Sequence, residues 1–386
     1  MKINNIEIIN DIKRFINKFL FNKTTPSGIF KNIEDFKNNY KKNCNLLITN
    51  EETQVSVKPP ITINKHLHGN FCSDILKYPT DYIIELSNEK IYGENGLVIA
   101  DNKVLNNFNI LYDHIGNIEK SDVFTRINKP KVNQINGSVA VMTTLWADFY
   151  YHWMLEVLPK FHMLKEQNIN PDYYLLNIQN KSFQKACLKE LKIPEEKILI
   201  TDKNTFIQAE KLIVPSIPGY TGHNPMWAIE FVRSTFLRDT TPDNSYPAKI
   251  YISRKKAYSR RFVNDEEVET ILKNLEFKEI IIENYDIFEQ AKIFFNAKII
   301  FSPHGGGLTN IIFSRSKTKV IEVFSPAMPI PCYWSLCNAL NIENYHIMAD
   351  APKKKFKANG KKYTPQDIIL DKQILKDTLK LTERLK

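Results

Sequence analysis

Between Lys249 and Phe324 the chain alternates short apolar runs with helical stretches, and this alternation restricts the fold more than any other feature. Lys249–Ser253 (KIYIS), Glu279–Ile282, Lys298–Ser302 and Thr318–Phe324 read as strands. Helices are expected over 264–274 and 286–296, with a short one running to about Phe313. Asn264 followed by Glu267 has the pattern of a reciprocal helix cap. Strands that alternate with single helices imply βαβ units on a parallel sheet. A second alternation starts near Tyr151, with helices over 153–167, 181–192 and 225–238. Strands are expected at Tyr173–Leu176, Ile198–Ile200 and Lys211–Val214. Thr240–Pro247 (TTPDNSYP) has the turn composition of a linker. The expected class is α/β. A helical and irregular extension covers 1–75, an α/β domain 76–242, a second α/β domain 243–350, and a basic tail with a terminal helix 351–386.

Glycine is scarce, with 12 residues in 386, yet Gly305, Gly306 and Gly307 are consecutive. They follow a strand and precede a helix in the segment PHGGGLTN. Ligands of open α/β sheets bind beyond the carboxyl ends of the strands, and glycine lets a ligand approach the backbone. The following helix N-terminus suits a phosphate. The segment is neither a Walker loop nor GxGxxG. His304 and Asn310 adjoin it. The loop after Lys249–Ser253 carries Arg254, Lys255, Lys256, Arg260 and Arg261. Five cations beyond a strand of the same domain, expected at the same sheet edge, point to a diphosphate. Glu322, near the end of the next strand, is a candidate for hydrogen bonds from ribose hydroxyls; a structural ion pair is the competing reading.

A third cluster lies in the other domain, in WADFYYHWMLEVLP (146–159). His152 and Glu156 are four apart and share a helix face. A histidine next to a carboxylate suits general-base work on a hydroxyl nucleophile. Asp148 is a secondary candidate base. Trp146, Tyr150, Tyr151 and Trp153 offer faces for sugar stacking, or core packing. No two aspartates are two apart, so no Asp-x-Asp metal site is expected.

The net charge is +10. Residues 351–386 hold eleven Lys and Arg against four Asp and Glu, so most of the excess belongs to the tail. That is weak evidence for nucleic acid, and an anionic membrane surface is a second reading. Cys44, Cys72, Cys187, Cys332 and Cys337 contain no CxxC pair and imply neither zinc nor a disulfide framework. A reducing, cytoplasmic compartment is expected. No apolar run reaches the length of a spanning helix. Ile8, Ile9, Ile12, Phe15, Ile16 and Phe19 predict an amphipathic N-terminal helix suited to the protein's own core or to a membrane surface.

The segments YYHWMLEVLPK, YISRKKAYSRRFVNDEEV and IIFSPHGGGLTNIIF, followed by IEVFSP, together resemble glycosyltransferase family 61, in particular its bacterial capsular polysaccharide type. The resemblance spans roughly Asp148 to Phe324. It implies a GT-B-like arrangement, two Rossmann-like domains facing across a cleft, the second holding the nucleotide. It also implies inverting, metal-independent transfer from a nucleotide sugar, usually UDP-linked, to a glycan hydroxyl, with no other cofactor. In the family pattern His304, Gly305, Gly307 and Asn310 match HGxGLxN, and Gly306 stands where alanine is common. Arg254 and Arg261 match the basic positions, and His152 and Glu156 the histidine and the acid one turn on. Asp148 stands where asparagine or glycine is more usual. On this reading Arg254 and Arg261, with Lys255 and Arg260, neutralise the diphosphate. Glu156 is the favoured base with His152 orienting it, and the reverse assignment stays open. A non-catalytic nucleotide- or glycan-binding protein is the alternative, and a nucleic-acid-binding protein ranks last.

Overall fold

The structure, a computed structural model, describes residues 25–63, 68–105, 118, 121–179, 181–238, 240–358 and 361–384. The expected amphipathic helix over 8–19 lies outside them. The chain forms two compact units. One combines the described residues up to Thr53 with Tyr78–Thr221, and the other combines Gln54–Lys77 with Gly222–Lys386. Both carry parallel strands in a mixed α/β organisation.

The second unit is built on the alternation read above. Its strands are β1 (Lys249–Ile252), β2 (Lys278–Ile280), β3 (Ile299–Pro303), β4 (Lys319–Phe324) and β5 (Glu343–Met348). They lie in the order β2-β1-β3-β4-β5, all parallel, and Ile61–Thr62 adds a short parallel strand beyond β5. Helices Asp265–Asn274, Ile287–Asn296 and Cys332–Ala339 and the 3-10 helix Gly306–Phe313 make the crossovers. Tyr251, Phe301, Ile321, Val323 and Tyr345 form much of one core with Leu375 and Leu379. Those two leucines come from the terminal helix Lys372–Arg384. That helix is therefore packed on the sheet, and the basic tail is free only in part.

Three sequence expectations are corrected here. Thr240–Pro247 is a turn inside the second unit. The helix before it, Met226–Leu237, packs Phe236 against Phe288 and Phe313, and Arg233 donates to the carbonyls of Ile312 and Ser314. Asn264 does not cap the helix Asp265–Asn274 with its side chain. Its amide instead pairs with the backbone of Leu370, donating at 2.8 Å and accepting at 3.2 Å. Residues 25–63 and 68–75 hold more strand than helix: Cys44–Asn50 pairs antiparallel with Asp81–Ser87, and Ile61–Thr62 extends the second sheet.

Among the described residues the first unit has a ten-stranded mixed sheet. Ile198–Ile200, Tyr173–Leu176, Asn133–Val141 and Phe206–Pro215 run parallel in that order. Phe206–Pro215 then pairs antiparallel with Asp81–Ser87 and Lys90–Tyr92, so only part of the sheet has the expected parallel character. Ile84, Leu86, Val139, Leu175 and Leu212 are buried in its core. Among the described residues no helix is long and apolar enough to cross a membrane.

Candidate functional site

In the second unit the chain moves from β1 outward to β2, then returns past β1 to build β3, β4 and β5 on the other side. Such a reversal leaves a crevice at the carboxyl ends of the two central strands. The loop after β1 holds Arg254–Arg261, and the loop after β3 holds His304–Gly307. Adjacent parallel strands bring these loops together. A Cβ on Gly305 would lie 1.8 Å from Arg254 Nη1, so the guanidinium fills the space a side chain would take. Gly305 has φ 167°, ordinary extended backbone, so close approach is what calls for glycine here. A Cβ on Gly306 would meet nothing within 4 Å, whereas one on Gly307 would press on Ile252 at 3.0 Å.

Arg254 donates to the carbonyl of Ser259 at 3.0 Å and is in no ion pair among the described residues. Burial first, and repulsion from Arg260 second, push its pKa down to about 10. Arg260 takes the left-handed backbone at φ 59°, at a cost of about 1–2 kcal/mol, and its buried Nε has no hydrogen-bond partner. Arg254 thus lies against Gly305, and the charge of Arg260 acts on both Arg254 and His304. An anion would relieve the repulsion and satisfy the unpaired donor.

The other candidates of this unit are placed differently. Lys255 is drawn to Glu269 at 2.7 Å and Glu279 at 3.1 Å. Arg261 pairs with the buried Asp367 at 3.3 Å and lies over the Tyr363 ring. Both are committed to protein partners. Asn310 is fully buried and donates to Gln290 and to the carbonyl of Gly307, bracing the loop. Glu322 is also fully buried. The parallel register sets it between Ser302 and His346, and its Oε1 lies 2.5 Å from Nδ1 of His304. A carboxyl group so placed meets an imidazole, which favours the competing structural-pair reading over ribose contact. Burial raises its pKa well above the carboxylate range, and the charge of Arg260 opposes that only in part. Burial, then Arg260, Arg254 and His346, hold the His304 pKa well below its usual value.

In the first unit, residues 150–166 form one continuous helical run whose middle turn, Trp153–Val157, is a π-turn. Pro159 lacks the N–H that the carbonyl of Leu155 would normally receive, and Leu158 reaches five residues back to Trp153. His152 and Glu156 meet across this turn, with Nδ1 and Oε1 2.8 Å apart. The second oxygen of Glu156 accepts from Thr144 Oγ1 at 2.8 Å. Glu156 is 0% exposed and both its oxygens are engaged, whereas the His152 side chain keeps 17% exposure. The geometry holds Glu156 inside and leaves His152 partly exposed, which favours the reverse of the preferred assignment. Trp146 lies 4.9 Å from the imidazole, centroid to centroid, while Trp153 is core. Asp148 is tied to Lys181, which contacts its carboxylate at 3.6 Å and donates to its carbonyl at 2.7 Å. Sequence reasoning missed Lys160, which is 1% exposed, donates to the carbonyl of Thr143 and sits one helical turn beyond Glu156. Burial lowers its pKa to about 8, against the pull of Glu156. The spacing His152–Glu156–Lys160 was the available signal. Among the described residues no group of three or more His, Cys, Asp or Glu is arranged to hold a metal ion.

Residues 150–321 match the family model described as Glycosyltransferase 61. The match takes in His152, Glu156, the basic loop and the glycine loop, and supports the resemblance drawn from the motifs. It leaves out Asp148 and Glu322. No curated protein matches the chain.

Proposed function

We propose that the protein is an inverting glycosyltransferase with a UDP-linked sugar donor and a glycan acceptor, of the capsular polysaccharide type. Arg254, Arg260 and the Gly305–Gly307 backbone hold the diphosphate without a metal. His152 is the general base, oriented by Glu156 and Thr144. The observation that carries this reading is the Arg254 guanidinium lying against Gly305, outside any ion pair among the described residues and repelled by Arg260, at the strand-order reversal. The family match supports the reaction class.

In the proposed step the acceptor oxygen attacks the anomeric carbon from the face opposite the diphosphate. The carbon–oxygen bond to the phosphate breaks as the new glycosidic bond forms, which inverts the configuration. His152 Nε2 takes the acceptor proton, and Glu156 stabilises the imidazolium. Preorganised positive charge receives the electron pair on the departing diphosphate.

Lys353, Lys354, Lys355 and Lys357 are exposed and form no ion pairs among the described residues. They suit a peripheral contact with an anionic membrane surface on the cytoplasmic side.

The test combines transfer and binding. His152→Ala should lower turnover by about 10²–10⁴-fold with UDP affinity unchanged. Arg254→Ala should weaken UDP binding. NMR of the product should show the opposite anomeric configuration to the donor. UDP binding without turnover on any donor and acceptor would leave a binding protein in place of an enzyme.

A further inference from the structure

The buried Glu322 and His304 pair has a chemistry that the proposed role of the glycine loop does not use. Glu322 is 0% exposed and His304 4%. One carboxyl oxygen lies 2.5 Å from Nδ1, and the other has no hydrogen-bond partner. The nearest candidate for that second oxygen is His346 Nε2 at 3.8 Å, beyond hydrogen-bond reach, and this nitrogen is itself buried and unpartnered. His346 is wedged edge-on between Phe71 and Phe324, with ring centroids 4.4 and 4.8 Å away. An ionised carboxylate buried with one hydrogen bond and an empty second oxygen is costly, and such groups take up a proton instead.

Two forms of the pair have to be weighed. In an ion pair, imidazolium would donate from Nδ1 to carboxylate. In a neutral pair, the carboxylic acid donates to Nδ1, and the ring proton sits on Nε2. The groups facing the pair are Arg254 and Arg260 from the loop after β1, His346 from β5, and Cys332 and Tyr333 from the helix Cys332–Ala339. The two arginines and His346 oppose an imidazolium. Arg260 alone favours a carboxylate, and burial outweighs it. Cys332 and Tyr333 are held neutral by burial. The balance falls to the neutral pair. The form matters to a ligand. An Nε2 lone pair would repel a phosphate oxygen, whereas Nε2–H donates to it. His304 Nε2 has no hydrogen-bond partner among the described residues.

We propose that Glu322 is a protonated carboxylic acid that fixes His304 as the Nε2–H tautomer, so that a neutral imidazole donates a hydrogen bond to an oxygen of the donor's diphosphate. Glu322 is then a positioning residue and His304 a diphosphate ligand. The inference rests on the reading of Gly305–Gly307 as the diphosphate loop. It also separates His304 from the arginines, since a neutral donor adds direction without adding charge.

The experiment is difference infrared spectroscopy of the full chain, wild type against Glu322→Gln, with calorimetric titration of UDP into both and into Glu322→Leu. A protonated-carboxyl C=O stretch should be present in the wild type at neutral pH and missing from Glu322→Gln. Glutamine keeps a neutral donor toward Nδ1, so its UDP affinity should stay within about threefold of wild type. Glu322→Leu removes that donor and should lose about tenfold or more. Absence of the C=O band at neutral pH, or equal losses in the Gln and Leu variants, would overturn the proposal. The band is read without ligand, so it decides the protonation of Glu322 even if UDP fails to bind and the diphosphate reading falls.

Discussion

Adding one methyl group in turn to Gly305, Gly306 and Gly307 should give three different outcomes. In Gly305→Ala the new Cβ would lie 1.8 Å from Arg254 Nη1 and 2.6 Å from its Cζ. Ordinary contact begins near 3.5 Å, so the guanidinium must retreat by about 1.5–2 Å. Its side chain is flexible enough to do so at little cost in stability. It would, however, lose its place at the loop, and with it a charge-assisted hydrogen bond of about 1.5–3 kcal/mol. UDP affinity should fall by about 10–150-fold. In Gly306→Ala the Cβ enters open space, and affinity and stability should both stay near wild type. In Gly307→Ala the Cβ meets Ile252 at 3.0 Å and Ile282 at 3.4 Å. Overpacking there should cost about 1–3 kcal/mol of stability. The assays are calorimetric titration with UDP and urea unfolding of each variant. An unchanged UDP affinity in Gly305→Ala, or a loss of binding in Gly306→Ala matching that in Gly305→Ala, would refute the assignment of Arg254 and Gly305 to the diphosphate.

Other outcomes follow from the same geometry. Glu156→Gln should cut turnover while leaving UDP affinity intact, because Glu156 orients His152 and touches no ligand; calorimetry beside a transfer assay checks this. Arg261→Ala should act mainly on stability, by about 3 kcal/mol in urea unfolding, because it leaves Asp367 buried without its cation. Its effect on UDP binding should be smaller than that of Arg254→Ala. Lys160 has a folded-state pKa of about 8 against 10.5 unfolded. Between those values the unfolded chain binds more protons, so stability should rise with pH. Relative to Lys160→Met, the wild type should gain about 3 kcal/mol from pH 8 to 10.5, read from unfolding at each pH. Replacing Lys353, Lys354, Lys355 and Lys357 by glutamine should weaken binding to anionic vesicles several-hundredfold, at about 1 kcal/mol per lysine, in a sedimentation assay.

The parallel sheet of the second unit was legible because its strands are continuous apolar runs, such as KIYI and KVIEVF, separated by single helices. The meeting of the Arg254 and Gly305 loops was legible too, since both follow strands of one domain. The pairing of His152 with Glu156 could be read from a spacing of four. Which of the two faces outward could not be read, because it depends on the depth of each side chain and on Thr144, twelve residues away. The protein partners of Lys255 and Arg261 could not be read for a similar reason. Their partners, Glu269, Glu279 and Asp367, arrive through tertiary packing and leave no mark beside the arginine and lysine run. For Glu322 both ribose contact and a structural ion pair stayed open, because the register with His346 that sets its neighbours leaves no mark in an apolar strand. The π-turn at 153–157 had one visible cause, Pro159, inside what otherwise read as an ordinary helix.

The central claim is that the second unit holds a nucleotide diphosphate on Arg254, Arg260 and Gly305–Gly307. The most direct test is calorimetric titration of UDP into the wild-type chain and into Arg254→Ala. The account predicts saturable binding at one site in the wild type and a loss of tenfold or more in the variant. No binding of UDP to the wild type, or equal affinity in the two proteins, would contradict it.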